Sequence, residues 1–129
     1  MKRIVLTLLV CICIQFAFAQ KNTPVVIATY NIRYNNPGDS LNAWSHRKEN
    51  VKALIRFHDF DIFGTQEGLI DQMNGISEME AYARTGHGRD DGKEAGEHSA
   101  IFYKKDRFKL IESGDFWLSE TPEKPGKGW

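Results

Sequence analysis

Residues 25–31, Val-Val-Ile-Ala-Thr-Tyr-Asn, and residues 61–68, Asp-Ile-Phe-Gly-Thr-Gln-Glu-Gly, flank a segment with helical periodicity. The first run is apolar on both faces and rich in β-branched residues, the pattern of a central strand covered on both sides. Between the two, Val51, Leu54, Ile55 and His58 recur at helical spacing, and Ser45 is placed to cap a helix over 45–58. Trp44, just ahead of that cap, is expected to pack over the helix. Ile62 to Thr65 reads as a second short buried strand. Strand, helix and strand in this order predict a right-handed crossover and parallel pairing.

In open α/β sheets ligands collect at the carboxyl ends of strands. Asn31 and Glu67 both stand there, on strands expected ~4.8 Å apart. A side-chain amide oxygen beside a carboxylate is hard-oxygen ligation, suited to Mg²⁺ or Mn²⁺ rather than zinc. The same spacing also fits a turn asparagine and a glutamate at the favourable end of the next helix dipole. Spacing alone leaves both open.

Outward from this unit, Leu69, Ile70, Met73 and Ile76 share one face of a short helix over 69–79, with Met73 as core filler. Ala81 to Thr85 reads as a strand. The glycine-rich loop 86–97, GHGRDDGKEAGE, has the composition of a solvated, mobile segment. Its spacing is one residue too long for a Walker loop, and Glu94 stands where Ser or Thr belongs. Asp90-Asp91-Gly92 lacks the alternating ligands of a calcium loop. Arg89, Lys93 and His98 beside a strand are nevertheless candidates to border a phosphate pocket. His87 and His98 still read first as surface or strand-edge histidines. Ser99–Tyr103 and Phe108–Ile111 flank a charged turn and read as a hairpin. Lys104, Lys105, Arg107 and Lys109 are then edge charges that discourage sheet-to-sheet association. The end of the chain, TPEKPGKGW, is turn chemistry with no element of its own.

Composition bounds the rest. The chain has 129 residues, 41% hydrophobic and 26% charged, which suits a single globular domain. Lys2 and Arg3 precede an apolar run from Ile4 to Phe18, and Ala17-Phe18-Ala19 has the small-x-small pattern of a signal-peptidase site. The run is shorter than the ~20 apolar residues of a membrane span. Residues 1–19 therefore read as a cleaved signal peptide, giving a secreted or periplasmic protein with no stable membrane anchor. Both cysteines, Cys11 and Cys13, leave with that peptide, as do two of the 17 basic groups. The remaining 15 basic groups face 17 acidic ones, so bulk charge does not draw the protein to nucleic acid or anionic membranes. Phosphate recognition has to be local.

TYNIRY (29–34) and DIFGTQE (61–67) resemble the two N-terminal signatures of the endonuclease/exonuclease/phosphatase (DNase I-like) superfamily. The stretch SAIFYKKDRFKLIESGDFWLSETPEKPGKGW (99–129) is similar to the corresponding part of secreted bacterial members. The resemblance spans about 24–129. It implies a four-layer α/β sandwich, of which residues 20–129 form an incomplete, N-terminal part of one domain, monomeric at full length. It also implies divalent-metal-dependent phosphoester hydrolysis with in-line attack by water. Glu67 then binds the metal, Asn31 helps fix metal or phosphate, and Gln66 supports Glu67; Arg89 and His98 are candidate substrate contacts. The family's Asp-x-Asn pair and late Asp-His pair have no counterpart in these residues, so the chain alone is expected to be inactive. The alternative is a non-catalytic binding module that keeps the start of the fold. Nucleic acid, a phosphoinositide and a phospholipid headgroup such as that of sphingomyelin all remain open as substrates, because substrate choice lives in loops.

Overall fold

The computed structural model describes residues 23–128. The expected signal peptide, residues 1–19, lies outside the described residues. Four strands form one mixed sheet: β1 (Ile27–Asn31), β2 (Ile62–Gln66), β3 (Tyr82–Thr85) and β4 (Ile101–Lys104), in the order β1-β2-β4-β3. β1 and β2 are parallel, joined by a 3-10 stretch (Pro37–Asn42) and helix α1 (Trp44–His58), as the crossover reading requires. Helix α2 (Ile70–Ser77) leads from β2 to β3. No helix among the described residues is long and apolar enough to cross a membrane.

One face of the sheet is closed. Phe63 of β2 stacks on Phe102 of β4, their ring centroids 5.0 Å apart, and meets Tyr82 of β3 edge-on. Val51 and Ile55 of α1 and Met73 and Ile76 of α2 join the same buried cluster. Complete burial of one such side chain contributes about 1.5–3 kcal/mol. Met73 is core filler, as its spacing predicts. Trp44 is buried in the first turn of α1 rather than ahead of it, and Ala43 occupies the cap position without a side-chain bond. Trp44 lies against Gly75 of α2, where an added Cβ would come within 2.9 Å of Lys48 and 3.1 Å of the Trp44 ring. That close helix–helix approach favours glycine.

Three expectations fail. β1 is not covered on both sides: it is an edge strand of this sheet, and Ile27 is 71% exposed. Among the described residues no helix or strand lies over the face that carries Ile27, Thr29 and Asn31. Phe108–Ile111 is not a strand either, because β4 pairs on its two sides with β2 and β3 and has no edge left for it. The charges of the turn point inward instead of guarding an edge. Asp61, 1% exposed, accepts a hydrogen bond from the Val26 amide at 2.8 Å and meets Lys104 at 3.0 Å and Arg107 at 2.5 Å. Lys104 also reaches Asp59 at 2.7 Å. Lys105 and Lys109 do remain exposed.

The Val26 amide, followed by the Lys104 and Arg107 cations, holds the Asp61 carboxyl at about 2, well below its ordinary value. A carboxyl depressed in the folded state stabilises above its unfolded value and loses that contribution as pH falls through the folded one. The Asp61 share of stability is therefore complete above about pH 4 and is lost towards pH 2. Asp61→Asn, which leaves Lys104 and Arg107 without their buried partner, is expected to lower the Tm at neutral pH by roughly 5–10 °C. Thermal melts of both proteins from pH 7 to pH 2 check this, and the two curves should converge at the acid end.

Candidate active site

Glu67 owes its position to a fault in the sheet. The β2–β4 ladder pairs Gly64 with Ile101, but beyond the strands Gly68 is bridged to His98. Four steps on one side thus match three on the other, so one extra residue is inserted on the β2 side. That is a β-bulge, which bends the strand and re-aims a side chain. Glu67 carries the strain, with a left-handed φ of 62° that a residue with a side chain rarely adopts. Its carboxylate compensates: Oε1 accepts from Asn31 Nδ2 at 2.7 Å, and Oε2 accepts from the Tyr34 amide at 3.0 Å.

Asn31 stands at the end of β1, directly across from Gln66. Its Oδ1 accepts from the Arg33 amide at 2.9 Å, closing a turn in which Arg33 has φ 61°. The asparagine amide thus locks the β1 exit and holds Glu67 at the same time. Asn31 foremost, then the Tyr34 amide, holds the Glu67 carboxyl below its ordinary range, so it is ionised at neutral pH. Arg33 turns outward and forms a forked pair with Asp39, at 2.7 and 2.8 Å.

Gln66 does not support Glu67; its Nε2 donates to Thr29 Oγ1 at 3.0 Å across the β1–β2 pair. The brace that sequence reading missed is Gln72, fully buried at the third position of α2. Its Oε1 accepts from the Leu69 and Asn35 amides, both at 3.1 Å, and its Nε2 donates to the Arg33 carbonyl at 2.8 Å. Arg47 of α1 adds a bond to the Ile32 carbonyl at 2.9 Å. These two side chains fix the 32–35 turn against both helices. The glutamine three residues after a helix start was the available signal, as the returning half of a capping box.

Arg89 and His98 are not brought together. Arg89 lines an open cavity of about 470 Å³ with His87, Glu97, Asp115 and Trp117. Its guanidinium pairs with Asp90 at 3.1 Å and Glu97 at 3.3 Å, and its carbonyl accepts from Trp117 Nε1 at 2.6 Å. His87 Nδ1 meets Asp115 at 2.5 Å in the same cavity. His98 is buried, 1% exposed, and shares the side of its strand with Ala100 and Phe102 in the core. The loop between them is not loose. Asp91 accepts from the Lys93 and Ala95 amides at 2.8 and 3.0 Å, and Gly88 lies so close to Ala95 that a Cβ there would sit 2.3 Å from its carbonyl. Hydrogen bonding within the segment overrides its flexible composition.

Chemically, the site offers one ionised, half-buried carboxylate; the Asn31 amide oxygen, expected beside it as a second metal donor, is instead turned to the Arg33 amide while the NH2 faces Glu67. Among the described residues no three His, Cys, Asp or Glu side chains converge on a point. A Mg²⁺ or Mn²⁺ ion suits this donor set, because such ions take one or two protein carboxylates and keep several waters.

No protein-family model matches the chain. It is 30% identical, over 85% of its length, to an uncharacterized protein of Acanthamoeba polyphaga mimivirus, and spans 19% of that protein. Solved structures lie nearer. An endonuclease/exonuclease/phosphatase family protein from Bacteroides thetaiotaomicron is 49% identical with a TM-score of 0.78 over 83% of this chain. A mannosyl-6-phosphatase of the same organism is also 49% identical, with a TM-score of 0.78 over 82%. A family member from Bacteroides vulgatus is 46% identical with a TM-score of 0.79 over 84%. The chain spans 39%, 41% and 42% of these three proteins, about two fifths of their lengths. The mixed sheet with its helices matches part of the DNase I-like fold of these proteins, and over most of its length the chain is similar to members of the endonuclease/exonuclease/phosphatase family.

Proposed function

We propose that these residues serve a divalent-metal-dependent phosphoester hydrolase, with Glu67 as the metal-binding carboxylate and Asn31 as the residue that fixes it. The observation that carries this reading is the bulge: Glu67 is held in a strained conformation by two hydrogen bonds, at the carboxyl end of a parallel strand pair. A Mg²⁺ or Mn²⁺ ion bound there supplies charge neutralisation for a phosphoryl group and its leaving oxygen. The residues of this chain prepare the place. Asn31 and the Tyr34 amide keep Glu67 ionised and aimed, Gln72 and Arg47 hold the turn, and Arg89, on the wall of the cavity it shares with His87 and Trp117, is the candidate substrate contact.

A phosphoester is the substrate class, and the mannosyl-6-phosphatase relative supports a sugar phosphate as the first compound to assay. Nucleic acid and lipid headgroups are the other substrates to screen. Export through a signal peptide ending at Ala19 belongs to the same reading, with a monomeric mature protein that begins at Gln20. Turnover also calls for groups beyond Asn31 and Glu67, so the 129-residue chain assayed alone is expected to be inactive and activity is to be measured on the full reading frame.

Glu67→Gln is expected to abolish Mn²⁺ binding, read by isothermal titration, and to lower phosphate release by about a hundredfold or more. Asn31→Ala, acting through Glu67, should cost about 10–100-fold in metal affinity. Metal binding that is equal in wild type and Glu67→Gln would sink the assignment. Arg89→Ala is expected to raise KM while leaving Mn²⁺ affinity unchanged, and an unaltered KM removes Arg89 from the substrate site.

A further inference from the structure

Asn31 and Glu67 serve the open face of the sheet, whereas a second cavity lies on its helix-covered side. Ile70, Arg84, Lys93, Glu94 and His98 line it, and its volume is about 430 Å³. Arg84 is paired across the β3–β4 ladder with core residue Phe102, which sets it on the helix side. His98 follows the same alternation through Ala100 and is bridged by its backbone to Gly68 and Gly88. Its side chain is enclosed between α2 and the glycine-rich loop.

Two polar atoms here are buried and have no hydrogen-bond partner among the described residues: Arg84 Nη1 and His98 Nδ1. Buried nitrogens of this kind are almost always satisfied, so a pair lining one cavity calls for an explanation. Burial also works against the charge on Arg84, with only Glu94 acting to keep it. A guanidinium donates and never accepts. The missing partner must therefore supply acceptor oxygens, and Lys93 at the cavity wall adds a second cation. Glu94 also lines the cavity, so the occupant must tolerate one carboxylate, for instance by presenting a hydroxyl to it.

We propose that this cavity is a binding site for a small phosphate-type oxyanion, held by Arg84, His98 and Lys93, on the face of the sheet opposite Glu67. An anion there would bridge the β3 strand to the loop that carries Arg89. The site does not rest on the hydrolase reading, since none of its residues forms a hydrogen bond or ion pair with Asn31 or Glu67.

The test is calorimetric titration of inorganic phosphate into the purified protein stripped of divalent metal. Saturable one-site binding is expected, weakened about tenfold or more in Arg84→Met, since a charge-assisted bond is lost. Lys93→Ala, on an exposed loop, should weaken it severalfold, and Glu94→Gln should tighten it by removing a like charge. Glu67→Gln should leave it unchanged. If Arg84→Met does not fold, the opposite responses of Lys93→Ala and Glu94→Gln still decide the matter. Absence of saturation at millimolar phosphate, indifference to all three cavity variants, or loss of binding in Glu67→Gln would each overturn the proposal.

Discussion

The parallel pairing of β1 with β2 is the constraint on which everything else rests. Its register is pinned at both ends by a carboxylate. At the amino end, Asp61 receives the Val26 amide and neutralises Lys104 and Arg107. At the carboxyl end, Asn31 reaches across to Glu67. A slip of one residue would turn each side chain to the other face. It would put Phe63 on the open side and leave Asp61 without the amide that faces it. Two hydrogen-bonded carboxylates, one buried and one at the rim, exclude that alternative more firmly than the apolar content of β1 does, since much of β1 is exposed.

The two carboxylates are tuned in the same direction for different ends. Both are held below their ordinary range, in each case chiefly by hydrogen bonds. Asp61 is 1% exposed and set between two cations and an amide, and so is a clamp. Glu67 is less enclosed, and each of its oxygens keeps a free lone pair. A carboxylate that is already ionised and aimed meets a cation without rearrangement, the usual meaning of backbone strain held at a functional site. The bulge explains why a glutamate rather than a glycine tolerates that conformation: its side chain is bonded at both oxygens.

The strand–helix–strand unit was legible in the sequence because periodicity is a local signal. Asn31 and Glu67 could be placed at strand ends for the same reason, although which way they face was settled by the bulge, which no local pattern announces. What sequence hid was non-local. The hairpin expected after Tyr103 fails because β4 takes its partners from Tyr82–Thr85 and Ile62–Gly64, both far upstream. Lys104 and Arg107 look like surface charges until Asp61 is brought beneath them. Gln72 looks like an ordinary helix residue until its amide is seen to hold the 33–35 turn. The glycine-rich loop is ordered by backbone bonds that composition cannot reveal.

That loop also joins the two faces. Along it Arg89 points into the open cavity beside Trp117, whereas Lys93 and Glu94 border the cavity behind the sheet. Gly88 and Ala95 are in backbone contact, and Asp90, Asp91 and Gly92 are all bonded within the segment, so its two sides are tied to each other. Its attachments include the ladder through His98, the His87–Asp115 pair, the Trp117 indole and the Gly126 amide on the Arg89 carbonyl. A loop closed on itself in this way presents its charged side chains from a fixed backbone, the preorganisation that a binding site needs.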